Sequence, residues 1–276
     1  MKYLMHGLII ILSFLFIVSC ATQPKSGEES EKEQASVSLD AEEKKELKEK
    51  QDKLGGSYAQ LRRFYTAKRY RELFDEASKI LAKDENDLRA LSALGLYHMD
   101  KGEFGAARIF FDKALLKHPN ESGIYNNIGV IQIQEGRLES ALVTFRKAYE
   151  IQRNNPVVQA NLGSIYVKYM DYVEAEPLVE DAYSRLSSND IVANNYAIVL
   201  RTQGQYDDAA KIYEKALSRD SRNISTNLNY AILLVEYMKK YDKARQLVNK
   251  IEFLNPRDKY VLAKIKDLQR KVSAAK

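Results

Sequence analysis

An all-α solenoid of about five to six helical hairpins, ended by a C-terminal capping helix, is the fold the sequence predicts. Three observations predict it. Asn127, Asn161, Asn195 and Asn229 lie 34 residues apart, and so do Gly95, Gly129, Gly163, Ala197 and Ala231. A fixed period of that size marks one supersecondary unit copied along the chain. Each copy reads as two amphipathic helices joined by a short turn. Finally, 45% hydrophobic and 29% charged residues with five Pro and no Trp suit a folded, mostly helical protein.

Residues 1–19 stand apart from this fold. Lys2 gives a positive start and Leu8 to Val18 an apolar run interrupted only by Ser13. At roughly 1.5 Å per residue the run spans about 17 Å, short of a bilayer core of about 30 Å, so it reads as a signal peptide. Ile17-Val18-Ser19-Cys20 resembles a bacterial lipobox. The resemblance implies cleavage before Cys20 and a diacylglyceryl thioether on it, with an acylated (for example palmitoylated) amino terminus in many bacteria. Cys20 is the only cysteine, so no intramolecular disulfide competes for it. One acyl chain would hold a protein marginally; two or three, at about 0.8 kcal/mol per buried CH₂, would anchor it. Ala21 after the cysteine, by the sorting pattern of enteric bacteria, implies the outer membrane facing the periplasm.

Residues 20–56 carry the anchor, a tether and a charged segment. Thr22 to Leu39 has almost no large apolar residues and is expected to be disordered. Asp40 to Leu54 reads as a solvated helix, with Asp40 as N-cap, Gly55-Gly56 as its stop, and Glu46/Lys50 one turn apart. Leu47 and Leu54 are too few for a coiled-coil seam.

The repeats, 57–258, fall in frames that begin at 54, 88, 122, 156, 190 and 224. The eighth position is small in the last five frames. The twentieth is alanine in the same five: Ala107, Ala141, Ala175, Ala209 and, after a one-residue insertion, Ala244. Small residues let the paired helices approach, and large ones at positions 7, 17 and 24, such as Leu94, Phe104 and Phe111, fill the layer beside them. This pattern resembles the tetratricopeptide repeat, over about 54–257. Departures are visible. The family's tryptophan at position 4 is replaced by Leu91, Tyr125, Gln159, Ala193 and Asn227, and its closing proline survives as Pro119 and Pro256. The first frame has Leu61 and Leu73 at its two small positions. Pro177 should kink the second helix of the fourth frame, and the insertion near Tyr237 to Tyr241 should lengthen the last turn. Residues 259–276 form the cap, with Val261, Leu262, Ile265, Leu268 and Val272 on one side and Lys264, Lys266, Arg270 and Lys271 on the other.

No enzyme, metal site or cofactor is expected. Outside the leader only His98 and His118 remain, neither in a ligand cluster, and His98 sits at an inward repeat position. No Gly-rich phosphate loop and no Ser/His/Asp or Cys/His set is present. Function then falls to a surface. The tetratricopeptide resemblance implies a concave groove lined by the first helix of each repeat, where positions 2, 6, 9 and 13 share a stripe. Position 6 supplies Asn127, Asn161, Asn195 and Asn229, beside Asn126 and Asn194. Position 9 supplies Leu96, Val130, Ser164, Ile198 and Ile232; position 12 supplies Met99, Ile133, Val167, Arg201 and Val235. An asparagine amide both donates and accepts, so a ladder of them suits an extended peptide in any sequence. Asparagine at position 6 is also common in the family consensus, so the same residues equally suit plain local packing. Lys168 and Arg201 do not reproduce the family's basic clamp for a C-terminal carboxylate.

Net charge, +5 overall, leaves about +7 on the repeats once the leader and tether are set aside. That balance favours acidic partners, peptidoglycan or anionic lipid. Nucleic acid is not expected behind a lipid anchor. A lipidated cysteine, a tether and about six repeats are together similar to the pilotins of type IV pilus secretins. The expectation is a membrane-anchored scaffold binding extended segments of envelope proteins to support pilus or motility-machine assembly. The alternative is an adaptor lipoprotein recruiting peptidoglycan enzymes or outer-membrane assembly components.

Overall fold

The computed structural model describes residues 55–275, all of whose regular structure is helical. The leader, Cys20, the tether and the charged stretch Asp40 to Leu54 lie outside the described residues. Helices follow in pairs: α1 (55–66) and α2 (Tyr70–Leu81), α3 (Leu88–Asp100) and α4 (Phe104–Lys117), α5 (Ser122–Gln134) and α6 (Leu138–Ile151). After them come α7 (Pro156–Lys168) and α8 (Tyr172–Leu186), α9 (Asp190–Thr202) and α10 (Tyr206–Arg219), α11 (Ile224–Ile232) and α12 (Tyr241–Phe253), then α13 (Lys259–Ala274). The described residues form two compact units, one ending at Ile131 and one beginning at Gln132, a boundary inside α5.

The position-8 rule has a steric cause. A Cβ on Gly95 would stand 2.3 Å from the Phe111 ring, and one on Gly163 would stand 2.6 Å from Cγ1 of Val179. Phe111 and Val179 both occupy position 24, so positions 8 and 24 are the touching pair of these two hairpins. Ala197 with Tyr213, and Ala231 with Val248, hold the same two positions and are also buried. In the first frame the sizes are exchanged. Leu61 stands at position 8 and Ala77 at position 24, both wholly buried. That frame therefore keeps the volume of the layer by inversion and is a complete hairpin.

Turn geometry repeats with the same period. Positive φ recurs at Lys68 (53°), Gly102 (74°), Gly136 (78°), Met170 (60°) and Gly204 (79°), each at position 15 of its frame. A left-handed residue there lets the next amide reach back five residues, as Glu103 N does to His98 O at 2.9 Å and Arg137 N to Gln132 O at 2.8 Å. Glycine adopts this conformation at least cost, which explains three of the five positions.

The last hairpin differs from expectation. Its left-handed residue is Lys239, φ 56°, one place later than the period requires. The additional residue is not in the turn: Leu233–Met238 is a π-helical turn continuing α11, and Lys240 N reaches back six residues to Leu234 O at 2.9 Å. A widened helical turn absorbs the insertion, so Leu233, Leu234 and Val235 all stay buried. Pro177, exposed, lies within an α8 that runs unbroken from Tyr172 to Leu186.

Four first helices are capped by side chains at the position before their frames. Asp87 Oδ1 accepts from Ala90 N at 2.8 Å, Asn155 from Val157 N at 3.0 Å, Asn189 from Ile191 N at 3.0 Å and Asn223 from Thr226 N at 3.0 Å. Most second helices start without a side-chain cap, since the preceding turn supplies their backbone bonds. In the second unit α7 packs on α8, α9 on α10 and α11 on α12, and α13 covers α12 and α11. On α13 the buried face is Ile265, Leu268 and Val272; Leu262, expected among them, is 42% exposed.

Candidate functional site

The stripe on the first helices divides by exposure. Asn126, Asn127, Asn161 and Asn195 are between 2% and 7% exposed, and Val130 and Ile133 are 3% and 2%. Asn194, Asn229, Val167, Ile198, Ile232 and Arg201 remain half-exposed. Of the expected groove residues, the first six are therefore mostly interior and the second six present surface. Asn126, Asn127 and Val130 belong to the unit ending at Ile131; the others belong to the second.

Within the second unit two asparagines bind neighbouring first helices. Asn195 Nδ2 on α9 donates to Ser164 Oγ on α7 at 2.6 Å, and Ser164 donates in turn to Ala160 O at 2.6 Å. Ser164 occupies a position that is aliphatic in other frames, and this relay accounts for a hydroxyl only 2% exposed. Asn229 Nδ2 on α11 donates to Asn194 Oδ1 on α9 at 2.9 Å. The recurring amides thus act, at these two places, as ties between successive repeats. The 34-residue period aligns each asparagine with its equivalent and so conceals that Asn229 pairs with Asn194, 35 residues back.

Around Arg201, at the end of α9, the surface has a second character. Its guanidinium lies 5.7 Å from the centroid of the Tyr237 ring, and that ring lies 5.1 Å from the ring of Tyr206. Nε of Arg201 is buried without a hydrogen-bond partner, as is the hydroxyl of Tyr213. Burial pushes the Tyr213 hydroxyl well above the usual phenol range, against the opposing pull of the Arg201 charge. In the sequence Tyr237 belongs only to the insertion; the register of the widened turn places it on Arg201.

His98 is half-buried, stacked on Phe110 with centroids 5.3 Å apart, and its Nδ1 lies 2.6 Å from Glu103 Oε2. It is a paired side chain at the hairpin's end. Among the described residues no three His, Cys, Asp or Glu side chains gather to hold a metal ion. Nor is any described helix long and apolar enough to cross a membrane.

Comparison with known proteins agrees with this geometry. Three family models described as tetratricopeptide repeat match residues 122–155, 161–226 and 200–268, together just over half of the chain. No curated protein matches the sequence. Among solved structures the chain is similar to YrrB, described as a TPR protein with an unusual peptide-binding site, at 19% identity and a TM-score of 0.55, over 69% of this chain and 97% of that one. It is similar to pilF of Pseudomonas aeruginosa at 22% identity and TM-score 0.54, over 70% and 90% of the two chains. A tetratricopeptide repeat protein from Parabacteroides merdae matches at 19% identity and TM-score 0.53, over 80% and 87%. At these identities the structural likeness speaks for the fold. With repeat models over its centre and C-terminal half, and hairpins whose positions 8 and 24 touch, the chain belongs to the tetratricopeptide-repeat family.

Proposed function

We propose that the protein is a non-catalytic scaffold, anchored in the outer membrane through Cys20 and facing the periplasm, that binds extended segments of envelope proteins during assembly of a pilus or motility machine. The carrying observation is the half-exposed strip in the second unit: Val167, Asn194, Ile198, Arg201, Asn229 and Ile232. Such a strip offers aliphatic surface, worth about 25 cal/mol per Å² before the ordering cost of a bound segment, beside the amide valences that the Asn229–Asn194 bond does not use. The likeness to YrrB supports peptide binding, and the likeness to pilF, with the lipobox-like leader, supports a pilotin-like role.

The test is a pull-down from detergent-solubilised envelopes with the full chain and with Ile198→Ser combined with Ile232→Ser. These side chains are chosen over the buried Asn161 and Asn195 because they are half-exposed, and helicity is checked alongside since Ile232 also packs against the core. A secretin or other membrane-machine subunit retained by the natural chain and lost by the variant is the expected result. Loss of peptidoglycan hydrolases instead would favour the adaptor role, and an unchanged set of partners would remove the strip from consideration.

A further inference from the structure

Arg201 differs from Arg185 and Arg219 of the same unit. Arg185 bonds to Asp181 and to Gln159, and Arg219 is held by Asp190 at 2.7 Å. Arg201 has no carboxylate partner among the described residues, although its Nε is buried and its charge rests against the Tyr237 ring. Removing a cation partly from water without an opposing charge is unfavourable, and protein interiors usually answer it with an acid. Here no described residue supplies that acid, and the site faces the strip already described. Ile198 lies one turn before Arg201 on α9, and Asn194 one turn before that.

We infer that Arg201, set on the Tyr237 ring, is a docking point for an aspartate or glutamate side chain of an extended partner segment whose neighbouring apolar residue lies over Ile198 and Ile232. This rests on the strip being the binding surface. Charge and spacing select the partner. A planar guanidinium forms two parallel bonds to a carboxylate, and an aromatic ring on one face holds that plane while excluding water. The rise from Ile198 to Arg201 is about 4.5 Å and an extended chain advances about 3.3 Å per residue, so acid and apolar residue are one or two positions apart. The repeats' positive balance adds long-range attraction for such a segment.

Two pools of nonapeptides test this, each with all positions randomised except a central Leu-X-Glu in one and Leu-X-Gln in the other. The full chain, immobilised in detergent, should retain the Glu pool about tenfold more than the Gln pool, the difference expected of one charge-assisted contact. Arg201→Gln should bring retention of the Glu pool down to that of the Gln pool while helicity is unchanged. Should Arg201→Gln lose helicity, Arg201→Lys serves instead, and it should show reduced discrimination, since it keeps charge without the fork. Equal retention of both pools by the natural chain overturns the inference, as does discrimination that survives Arg201→Gln. The underlying reading fails separately. If retention of both pools is indifferent to Ile198→Ser with Ile232→Ser, or neither pool is retained, the strip is not the binding surface and the inference falls with it. Sensitivity to those two substitutions without Glu preference overturns the Arg201 inference alone.

Discussion

At the scale of single residues, close approach sets the strictest demands. Gly95→Ala would place a methyl 2.3 Å from the Phe111 ring, which is wholly buried and cannot swing away. Denaturant unfolding should show a loss of about 1–3 kcal/mol, the usual cost of overpacking, and Gly95→Ala combined with Phe111→Leu should recover part of it. Tyr58 makes a second demand, through pH. Burial first, and then its 2.5 Å bond to Asp87 Oδ2, raise its hydroxyl to about 12, while the other oxygen of Asp87 caps α3. A folded-state value above the unfolded value of about 10 means the neutral phenol is favoured by folding. Its contribution is complete below pH about 10 and is lost as pH rises toward 12. Tyr58→Phe should lower stability near neutrality and flatten the alkaline decline between those two values, as followed by helicity in a pH series. Tyr230, raised to about 12 by burial and by its bond to Glu214, contributes in the same sense and should keep some slope in that variant.

At the scale of the helix, Pro177 gives the clearest expectation. It is exposed, so its ring contributes little burial, and it withholds the N–H that would bond to Val173 O. Pro177→Ala should stabilise the chain by about 1–3 kcal/mol in chemical denaturation; no gain would mean that α8 already accommodates the missing bond without cost. The helices were legible in the sequence because touching residues recur at fixed positions: the small residues at position 8 and the alanines at position 20 locate both members of each hairpin. Three features were not. Caps at Asp87, Asn155, Asn189 and Asn223 fall on the 34-residue period with Glu121 skipped, but a capping residue differs from an ordinary loop residue only in its hydrogen bond to N2 or N3. The insertion in the last frame was visible as a count and invisible as a place, since a turn and a widened helix accept an additional residue equally well until Lys239 fixes the register. In the site, residue type named the asparagines, but whether an amide faces a ligand or a neighbouring repeat depends on its exposure. Asn195 and Asn229 spend donors on Ser164 and Asn194, a fact set by side-chain direction rather than by spacing.

At the scale of the whole molecule, attachment and recognition are assigned to separate parts of the sequence, so they should be separable by mutation. The proposed anchor is Cys20, and the proposed binding strip begins at Val167, well over a hundred residues later. Each buried acyl CH₂ contributes about 0.8 kcal/mol, so two or more chains on Cys20 would suffice to hold the protein on the membrane. Nothing in that attachment depends on α9 or α11. Cys20→Ser should therefore abolish incorporation of labelled palmitate and move the chain from the membrane pellet to the soluble fraction. The same variant should retain the Glu and Gln peptide pools in the ratio of the natural chain. Persistent labelling would remove Cys20 as the site of acylation. Loss of peptide retention along with the lipid would show that recognition needs the membrane or the N-terminal segment, and would place part of the binding surface outside the repeats.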